Sequence, residues 1–362
     1  MEDLTYDKLA AAIQRRGGGM PIIKCQDFRD IMEILFTEEE ARLAAILPEN
    51  LATADMLVSQ TNHSRAELAE LLEGMARKGL LFAIKKQYYV LLPLVPGIIE
   101  NQIATGIVND RTKKLARLFQ QYFISILKAG KVSKQVFSKV PFARIIAVDQ
   151  NIRGENTVMP YDKLLPYIDK AEHLAVVVCH CRQTGELLDN PCTKYKDVCL
   201  TLGESARFIA EYGLGKPITR EQAHRILERA EEEGLVHSVS NTEQIDFICN
   251  CCICHCELLR SMKKSVERGG AAVSSFVSVV NTEDCIGCGD CIARCPMEAI
   301  TLKDEIAEVN GKRCIGCGLC VSKCPTEAIK MINREQAAPP YADNELLNKA
   351  VVASLSPEAK TG

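Results

Sequence analysis

The front half of the chain carries apolar residues at the three-to-four-residue spacing of helices. Residues 64–78, SRAELAELLEGMARK, show this spacing, and Ser64 followed by Glu67 is a capping-box start. Two shorter helices are expected before it, at about 38–47 and 53–60. The next segment, GLLFAIKKQYYVLLP, alternates in the manner of a β-hairpin. Three helices and a hairpin predict a winged-helix-like domain within residues 1–97.

Residues 98–130 predict a long amphipathic helix that breaks near Gly106. Its apolar stripe is expected to pack in the core. Self-association through this stripe is the alternative, which leaves a homo-oligomer open. The helix belongs to a predicted helical connector over residues 98–165.

Beyond the connector, strand and helix patterns are mixed. The run HLAVVV at 173–178 predicts a buried strand. Two helices are expected after it, one ended by Gly213 and Gly215, the other capped by Thr219 and ended at Gly234. The sequence therefore predicts an α+β multidomain chain, with a mainly helical winged-helix-like N-terminal part and an α/β middle domain at 166–270.

Composition narrows the class of protein. The chain has 362 residues, of which 47% are hydrophobic, enough for two or three domains with real cores. Its net charge of −3 gives no chain-wide attraction to nucleic acid or anionic membrane. The N-terminus MEDLTYDKLA lacks a secretion-signal layout, and the longest apolar stretch, at 79–99, is interrupted by lysines and prolines. A cytoplasmic protein without membrane insertion is expected.

Cysteine is far more frequent than packing requires. Of 18 cysteines, only Cys25 precedes position 179, and it is expected to be a plain buried thiol. Disulfides are disfavoured in a reducing compartment, so clustered cysteines there are expected to bind metal or to act in catalysis. The back half should therefore be rich in metal.

The strongest motif is a repeat, in which CIGCGDCIARCPMEAI at 285–300 recurs as CIGCGLCVSKCPTEAI at 314–329. Each copy has the C-x2-C-x2-C-x3-C-P spacing that holds [4Fe-4S] clusters, with the fourth cysteine ligating the other cluster. The predicted ligand sets are Cys285, Cys288, Cys291 and Cys324 for one cluster, and Cys314, Cys317, Cys320 and Cys295 for the second. Short helices are expected at MEAI and TEAI, after the prolines. The repeat resembles a two-cluster bacterial ferredoxin domain, assigned to 271–333, with a polar, frayed or weakly helical tail at 334–362.

Nine further cysteines lie in the middle domain, and CNCCICHC at 249–256 is the densest part. They predict one or two additional iron–sulfur clusters, and zinc is the weaker alternative because four ligands per ion would leave one thiol over. An extended chain would put Cys252, Cys254 and Cys256 on one face. Ligand sets within one block and sets that combine both blocks remain open, and His180 and His255 are expected to donate hydrogen bonds rather than to ligate. The nine are Cys179, Cys181, Cys192, Cys199, Cys249, Cys251, Cys252, Cys254 and Cys256.

The motifs CHCR, NPC, DVCL, GLVH and CNCC, together with the dicluster repeat, resemble a group of ferredoxin-domain iron–sulfur proteins of anaerobic bacteria and archaea. The likeness is strong over residues 140–333 and weak before them. That group commonly carries Cys where this chain has His255. The resemblance implies electron transport between redox partners without identifying them.

Three functions are compatible with these patterns. The first is a cytoplasmic carrier, or an electron-transfer subunit of an oxidoreductase, that passes single electrons in anaerobic metabolism to a dehydrogenase, reductase or hydrogenase. The second is a reductase with an unusual catalytic cluster in the middle domain. The third is a redox-sensing winged-helix transcription regulator. Glu67, Glu70 and Glu73 on the would-be recognition helix disfavour DNA.

Overall fold

A computed structural model of the chain describes residues 2–132, 138–148, 158–264, 271–335 and 337–355. The fold is a mixture of helices and strands. The helices are α1 Glu2–Arg15, α2 Gln26–Leu35, α3 Glu38–Ile46, α4 Ala54–Leu57, α5 Arg65–Arg77, α6 Ile99–Ile103, α7 Asp110–Val132, α8 Leu165–Lys170, α9 His180–Leu187, α10 Gly203–Glu211, α11 Arg220–Glu232, α12 Glu257–Lys264, α13 Asp290–Arg294 and α14 Asn344–Ser354.

Most of the strands form one antiparallel sheet. The strands are β1 Leu81–Ile84, β2 Tyr88–Leu91, β3 Ala143–Ile146, β4 Leu174–Val178, β5 Asp197–Leu202, β6 Lys216–Pro217, β7 Val236–Ser240, β8 Phe247–Cys251, β9 Ala272–Val273, β10 Phe276–Val280, β11 Ile300–Lys303, β12 Ile306–Val309 and β13 Ile329–Asn333. The main sheet has seven strands in the order β6-β4-β5-β8-β7-β3-β9. Only its β3–β9 pair is parallel. The predicted strand at 173–178 is confirmed as β4.

The front half contains the predicted helices and hairpin. Helix α5 starts after Ser64, whose side chain accepts from Glu67 N while the Glu67 carboxylate accepts from Ser64 N. Strands β1 and β2 pair as the expected hairpin, and Ala52 adds an isolated bridge to Tyr89. Glu73, one of the three glutamates on α5, is engaged within the protein. It accepts hydrogen bonds from the hydroxyls of Tyr89 and Tyr212, because α10 packs beside this hairpin.

The long helix is broken as predicted, since Gly106 adopts a positive φ of 74° between α6 and α7. The apolar stripe of α7 packs in the core, and the ring of Tyr122 lies 5.7 Å from that of Phe28 on α2. Residues 143–146, predicted to belong to a helical connector, form β3 instead. This strand lies between β7 and β9 and is buried. The charged Arg144 interrupts its apolar residues, so the sequence pattern did not indicate a strand.

Part of the polar tail, predicted to be frayed or weakly helical, is a capped helix. Asp343 caps α14, and Leu347 and Val351 are buried. Asn348 accepts a hydrogen bond from Gly18 N at 3.2 Å, and this contact joins the tail to the front half. Among the described residues, no helix combines the length and apolar character required to cross a bilayer.

Candidate metal centres

Each ferredoxin-like repeat begins with a tight loop that only glycine permits. Gly287 and Gly316 occupy equivalent positions in the two CIGC motifs, with φ of 65° and 69°. A Cβ at Gly287 would lie 2.3 Å from the Glu305 carbonyl oxygen, and one at Gly316 would lie 2.2 Å from the Phe276 carbonyl oxygen. Both loops therefore press against a neighbouring strand end, which fixes the positions of the flanking cysteines.

Cys285, Cys288, Cys291 and Cys324 surround one space, which we call the outer site. These four cysteines from both repeats line one pocket that opens to solvent. The Cys285 thiol accepts a hydrogen bond from Ala307 N at 3.4 Å. Cys288 is exposed, and the neighbouring Ile286 is 65% exposed, so the outer site reaches the surface. Four converging thiols around a cavity with backbone donors fit a [4Fe-4S] cluster.

Cys295, Cys314, Cys317 and Cys320 form a second, more enclosed group, which we call the inner site. Burial and then the neighbouring Cys320 charge raise the pKa of Cys317, with Cys314 and Cys295 adding to the effect. Burial likewise raises the pKa of Cys320 to about 12. The free thiols of Cys317 and Cys320 would thus remain protonated at neutral pH. Several thiolates can coexist here only with a cation among them, as an iron–sulfur cluster would provide.

The short helices expected at MEAI and TEAI are absent. After Pro296 and Pro325 the chain turns, with Glu298 and Glu327 at positive φ, and enters β11 and β13. The helical turns precede the prolines, at α13 and at Val321–Lys323. In the turn after Pro296, Ala299 N donates to the Cys295 thiol at 3.3 Å.

The main sheet brings the two middle cysteine blocks together at one end. Cys179 follows the end of β4, and Cys199 lies near the start of the antiparallel β5, opposite Val177. Strand β8 is antiparallel to β5 and ends at Cys251, so Cys249 and Cys251 reach the same end. Alternating strand direction thus makes neighbours of residues 50 or more positions apart in sequence.

Six of these cysteines form a closed group in which the pKa of each thiol is shifted by two others of the group. In order around the group they are Cys179, Cys199, Cys249, Cys251, Cys256 and Cys181. We call this the six-thiol group. Hydrogen bonds from Cys199 and Cys251 lower the pKa of Cys249, and those from Cys181 and Cys251 lower the pKa of Cys256. The group therefore favours at least two thiolates, the form that binds metal.

Cys256 does not share a face with Cys252 and Cys254, contrary to the extended-chain prediction. Strand β8 ends at Cys251, and Cys256 N donates to the Cys252 carbonyl at 3.0 Å across a turn. This turn returns Cys256 to the six-thiol group and directs Cys252 and Cys254 elsewhere. The sequence prediction failed because it assumed an extended chain through all eight residues.

Cys192, Cys252, Cys254 and His255 form a separate, compact cluster, which we call the three-cysteine–histidine group. Their ligand atoms all lie within 4.8 Å of one another. The sequence left open whether each ligand set comes from one cysteine block or combines both. In the structure, both middle groups combine residues of the upstream and downstream blocks.

Two residues without a predicted role position these groups. Arg182, from the CHCR motif, is fully buried and donates to the carbonyls of Tyr195 and Asn250 at 2.6 and 2.7 Å. Burial opposes its charge, yet the thiolates of Cys179, Cys252 and Cys199 raise the pKa of Arg182 above its ordinary value. It is thus a fixed cation among the thiols. The basic residue directly after two cysteines in CHCR is the signal that could have revealed it.

Asn250 lies between Cys249 and Cys251 and is also fully buried. Its Nδ2 donates to the Val198 carbonyl, and its Oδ1 lies 2.6 Å from His237 Nδ1. His237, from the GLVH motif, in turn lies 3.3 Å from Glu231. This network holds β8, and with it the downstream cysteines, against β5 and β7.

His180 lies beside the six-thiol group. Its Nδ1 is 3.7 Å from the Cys181 thiol and 3.8 Å from a Glu100 carboxylate oxygen. Burial raises the pKa of Glu100, and the neighbouring His180 opposes that shift. This arrangement is consistent with the predicted hydrogen-bonding role of His180. The carboxylate beside it, Glu100, lies on helix α6 of the front half.

The thiol groups adjoin one another through shared apolar contacts. One apolar cluster includes Cys249, Cys251 and Cys256 of the six-thiol group together with Cys295, Cys314 and Cys317 of the inner site. A second cluster joins Cys295 and Cys320 of the inner site to Cys285, Cys291 and Cys324 of the outer site. The six-thiol group and the inner site thus share one apolar cluster, and the inner and outer sites share another.

Comparison with known protein families supports the iron–sulfur chemistry of the back half. Residues 278–331 match the profile of the 4Fe-4S dicluster domain. That segment contains all the cysteines of the outer and inner sites. A search of curated proteins finds no match to the chain. The dicluster domain and the cysteine groups together indicate an iron–sulfur protein of electron transfer.

Proposed function

We propose that the protein is a single-electron relay in which the outer site, the inner site and the six-thiol group act in series. The observation that carries the proposal is the apolar cluster shared by inner-site and six-thiol cysteines. Apolar surroundings shared by two redox centres favour electron transfer between them. When bound, the iron–sulfur clusters supply reversible one-electron chemistry. The cysteines of the three sites hold the clusters in the order outer site, inner site and six-thiol group.

The proposed ligands follow the geometry. Cys285, Cys288, Cys291 and Cys324 hold one [4Fe-4S] cluster, and Cys295, Cys314, Cys317 and Cys320 hold the second. The six-thiol group holds a further cluster, for which the thiolates at Cys249 and Cys256 are the first ligands. Eighteen free thiols in one chain support a reducing compartment such as the cytoplasm, and metabolism with little oxygen.

The outer site is the proposed port for a redox partner, because Cys288 and Ile286 are exposed there. Exposed acidic residues surround it at Asp284, Asp290 and Glu305. A partner with a basic face around an apolar centre would complement this rim, and its association would weaken with salt. Dehydrogenases, reductases and hydrogenases that carry such a face are the proposed partners.

The front half is proposed to be a winged-helix-like docking domain. Its layout of α3, α4, α5 and the β1–β2 hairpin supports this. DNA remains disfavoured because Glu67 and Glu70 are exposed on α5 while Glu73 is engaged by tyrosines. The same domain packs on the middle domain, where the Phe82 ring lies 5.1 Å from that of Phe208 on α10. A partner held here would lie near the cysteine groups.

Freeze-quench EPR on anaerobically purified protein tests the relay. Iron should be about 12 per chain, from three clusters of four. A low-potential reductant should reduce the six-thiol centre after the ferredoxin-type centres. Cys288→Ser and Cys317→Ser, which remove one ligand from the outer and the inner site respectively, should both slow reduction of the six-thiol centre when electrons come from a protein donor at the port, whereas the matched control Cys25→Ser should not. A six-thiol signal that never becomes reduced, or a wild-type rate of its reduction in either ligand variant, would contradict the series.

A second candidate function has one observation in its favour. The six-thiol group offers two more thiols than a four-cysteine cubane takes, which would suit a cluster of unusual structure that reduces a substrate. EPR distinguishes the two functions. A signal that changes when small candidate substrates are added favours a reductase, and an ordinary cubane signal insensitive to them favours the relay.

A further inference from the structure

The three-cysteine–histidine group has the dimensions of a site for one metal ion. The Cys192 thiol lies 3.4 Å from that of Cys254 and 3.9 Å from that of Cys252. A tetrahedral ion with bonds to sulfur of about 2.3 Å separates its sulfurs by about 3.8 Å. A four-iron cluster gives each thiolate its own iron, so its ligands must stand around a larger body.

The compactness also separates this group from the other thiols. Among the described residues, it is the one group of three or more Cys, His, Asp or Glu side chains whose ligand atoms all lie within 4.8 Å of one another. The ferredoxin-type thiols and the six-thiol group are spread more widely. Nine middle cysteines therefore divide into six and three, with His255 as the fourth member of the smaller group.

His255 is oriented as a ligand. Its Nε2 lies 2.8 Å from the Asn190 carbonyl oxygen, which accepts only from a protonated ring nitrogen. The Nδ1 atom is buried and has no hydrogen-bond partner, so its lone pair is free for a metal. A carbonyl that fixes the tautomer of a histidine through its second nitrogen is the usual partner of a metal-bound imidazole.

The backbone around His255 is built to hold the ring in this place. A Cβ at Gly185 would lie 2.4 Å from His255 Cδ2, so the ring packs directly on the glycine of α9. The Cys192 thiol accepts from Lys194 N at 3.5 Å, and Arg182 lies against Cys252. One backbone donor and one fixed cation would offset the excess negative charge of three thiolates and a divalent ion.

We propose that Cys192, Cys252, Cys254 and His255 bind a single Zn²⁺ ion, separately from the iron–sulfur clusters. Three thiolates and one imidazole are zinc ligands in a tetrahedral set, and zinc outcompetes ferrous iron at nitrogen and sulfur sites. Four protein ligands leave no open position, so the ion has a structural role. It ties the loop after α9 to the turn after β8. The proposal does not depend on electron transfer.

Metal analysis of the holoprotein, expressed with both iron and zinc, tests the proposal. Wild type should contain about one zinc per chain, and zinc-edge X-ray absorption should show three sulfurs at about 2.3 Å and one nitrogen at about 2.0 Å. Cys254→Ser should lose the zinc and keep its iron. Cys25→Ser, which changes a half-buried thiol directly before α2 in the front half, is the matched control and should keep both metals.

His255→Cys keeps the test decisive if Cys254→Ser does not fold. It should retain zinc with four sulfurs and no nitrogen. Four outcomes would overturn the proposal: no zinc in wild type, a loss of about four iron in Cys254→Ser, zinc unchanged in that variant, or an unchanged absorption spectrum in His255→Cys. A ferric signal from one isolated iron at this group would equally reject zinc.

Discussion

Removing the positive charge of Arg182 should lower the reduction potential of the six-thiol centre. Arg182 is fully buried and lies against Cys179, Cys199 and Cys252. A cluster held by thiolates carries net negative charge and gains one more on reduction. A fixed cation nearby stabilises the reduced state more than the oxidised state, so its loss makes reduction harder.

The size of the effect follows from Coulomb's law. For a separation on the order of 7 Å and an effective dielectric constant of about 20, one charge contributes about 2.4 kcal/mol. For a one-electron couple this corresponds to about 100 mV. Arg182→Met removes the charge and keeps much of the volume. Arg182→Lys is the matched control, because it keeps the charge and loses the two-armed contact to the Tyr195 and Asn250 carbonyls.

An EPR-monitored redox titration measures the shift. Arg182→Met should lower the potential of the six-thiol centre by about 100 mV, and Arg182→Lys by less than about 30 mV. The two ferredoxin-type centres serve as internal references and should not move. Equal shifts in both variants would mean that packing, not charge, sets the potential. No shift in Arg182→Met, with iron content retained, would refute the electrostatic reasoning.

Three further predictions concern single positions. Gly316→Ala should cost about four iron per chain, because its Cβ would clash with the Phe276 carbonyl, whereas Gly311→Ala, whose Cβ would meet nothing nearer than 3.9 Å, should keep full iron. Ser278→Ala should lower the inner-site potential in the same titration, since its hydroxyl lies 3.3 Å from the Cys320 thiol; an unchanged potential would rule out a hydrogen bond to the cluster ligand. Burial raises the pKa of Asp246 from 3.8 to about 6, so the folded state binds the proton more tightly and stability falls as pH rises through that window. Asp246→Asn should therefore raise the thermal midpoint at pH 7, because it removes the free-energy cost of ionising the buried carboxylate, which is about 3 kcal/mol. A lower midpoint would contradict this account.

The sequence predicted those features that depend on local pattern. The capping box at Ser64, the break at Gly106 and the strand at 173–178 each follow from a few neighbouring residues, and the structure has all three. The ferredoxin-like repeat was equally recognisable from the sequence, because the spacing of its cysteines itself determines that they can ligate clusters. The prediction of helices at MEAI and TEAI failed because Glu298 and Glu327 adopt positive φ, which a helix does not allow, and the chain enters strands β11 and β13 directly afterwards.

The grouping of the middle cysteines could not be predicted from spacing. It depends on the directions of β4, β5 and β8, which decide that Cys179, Cys199 and Cys249 meet at one end of the sheet. The turn at residues 252–255 then separates Cys254 from Cys256, and no local pattern distinguishes this turn from an extended strand. Arg182 was visible in its motif, but its burial between two thiol groups is a property of the tertiary structure.

The division of each middle thiol group between two distant blocks has a consequence for how the protein is made. Cys199 is synthesised 50 residues before Cys249, an interval of roughly 3–10 s at the ribosome. During that time Cys179, Cys181, Cys192 and Cys199 have no downstream partners, and neither middle group is complete. Metal loading of the middle domain therefore follows synthesis through Cys256. The nascent chain depends on its surroundings to keep four early thiols reduced and free of the wrong metal.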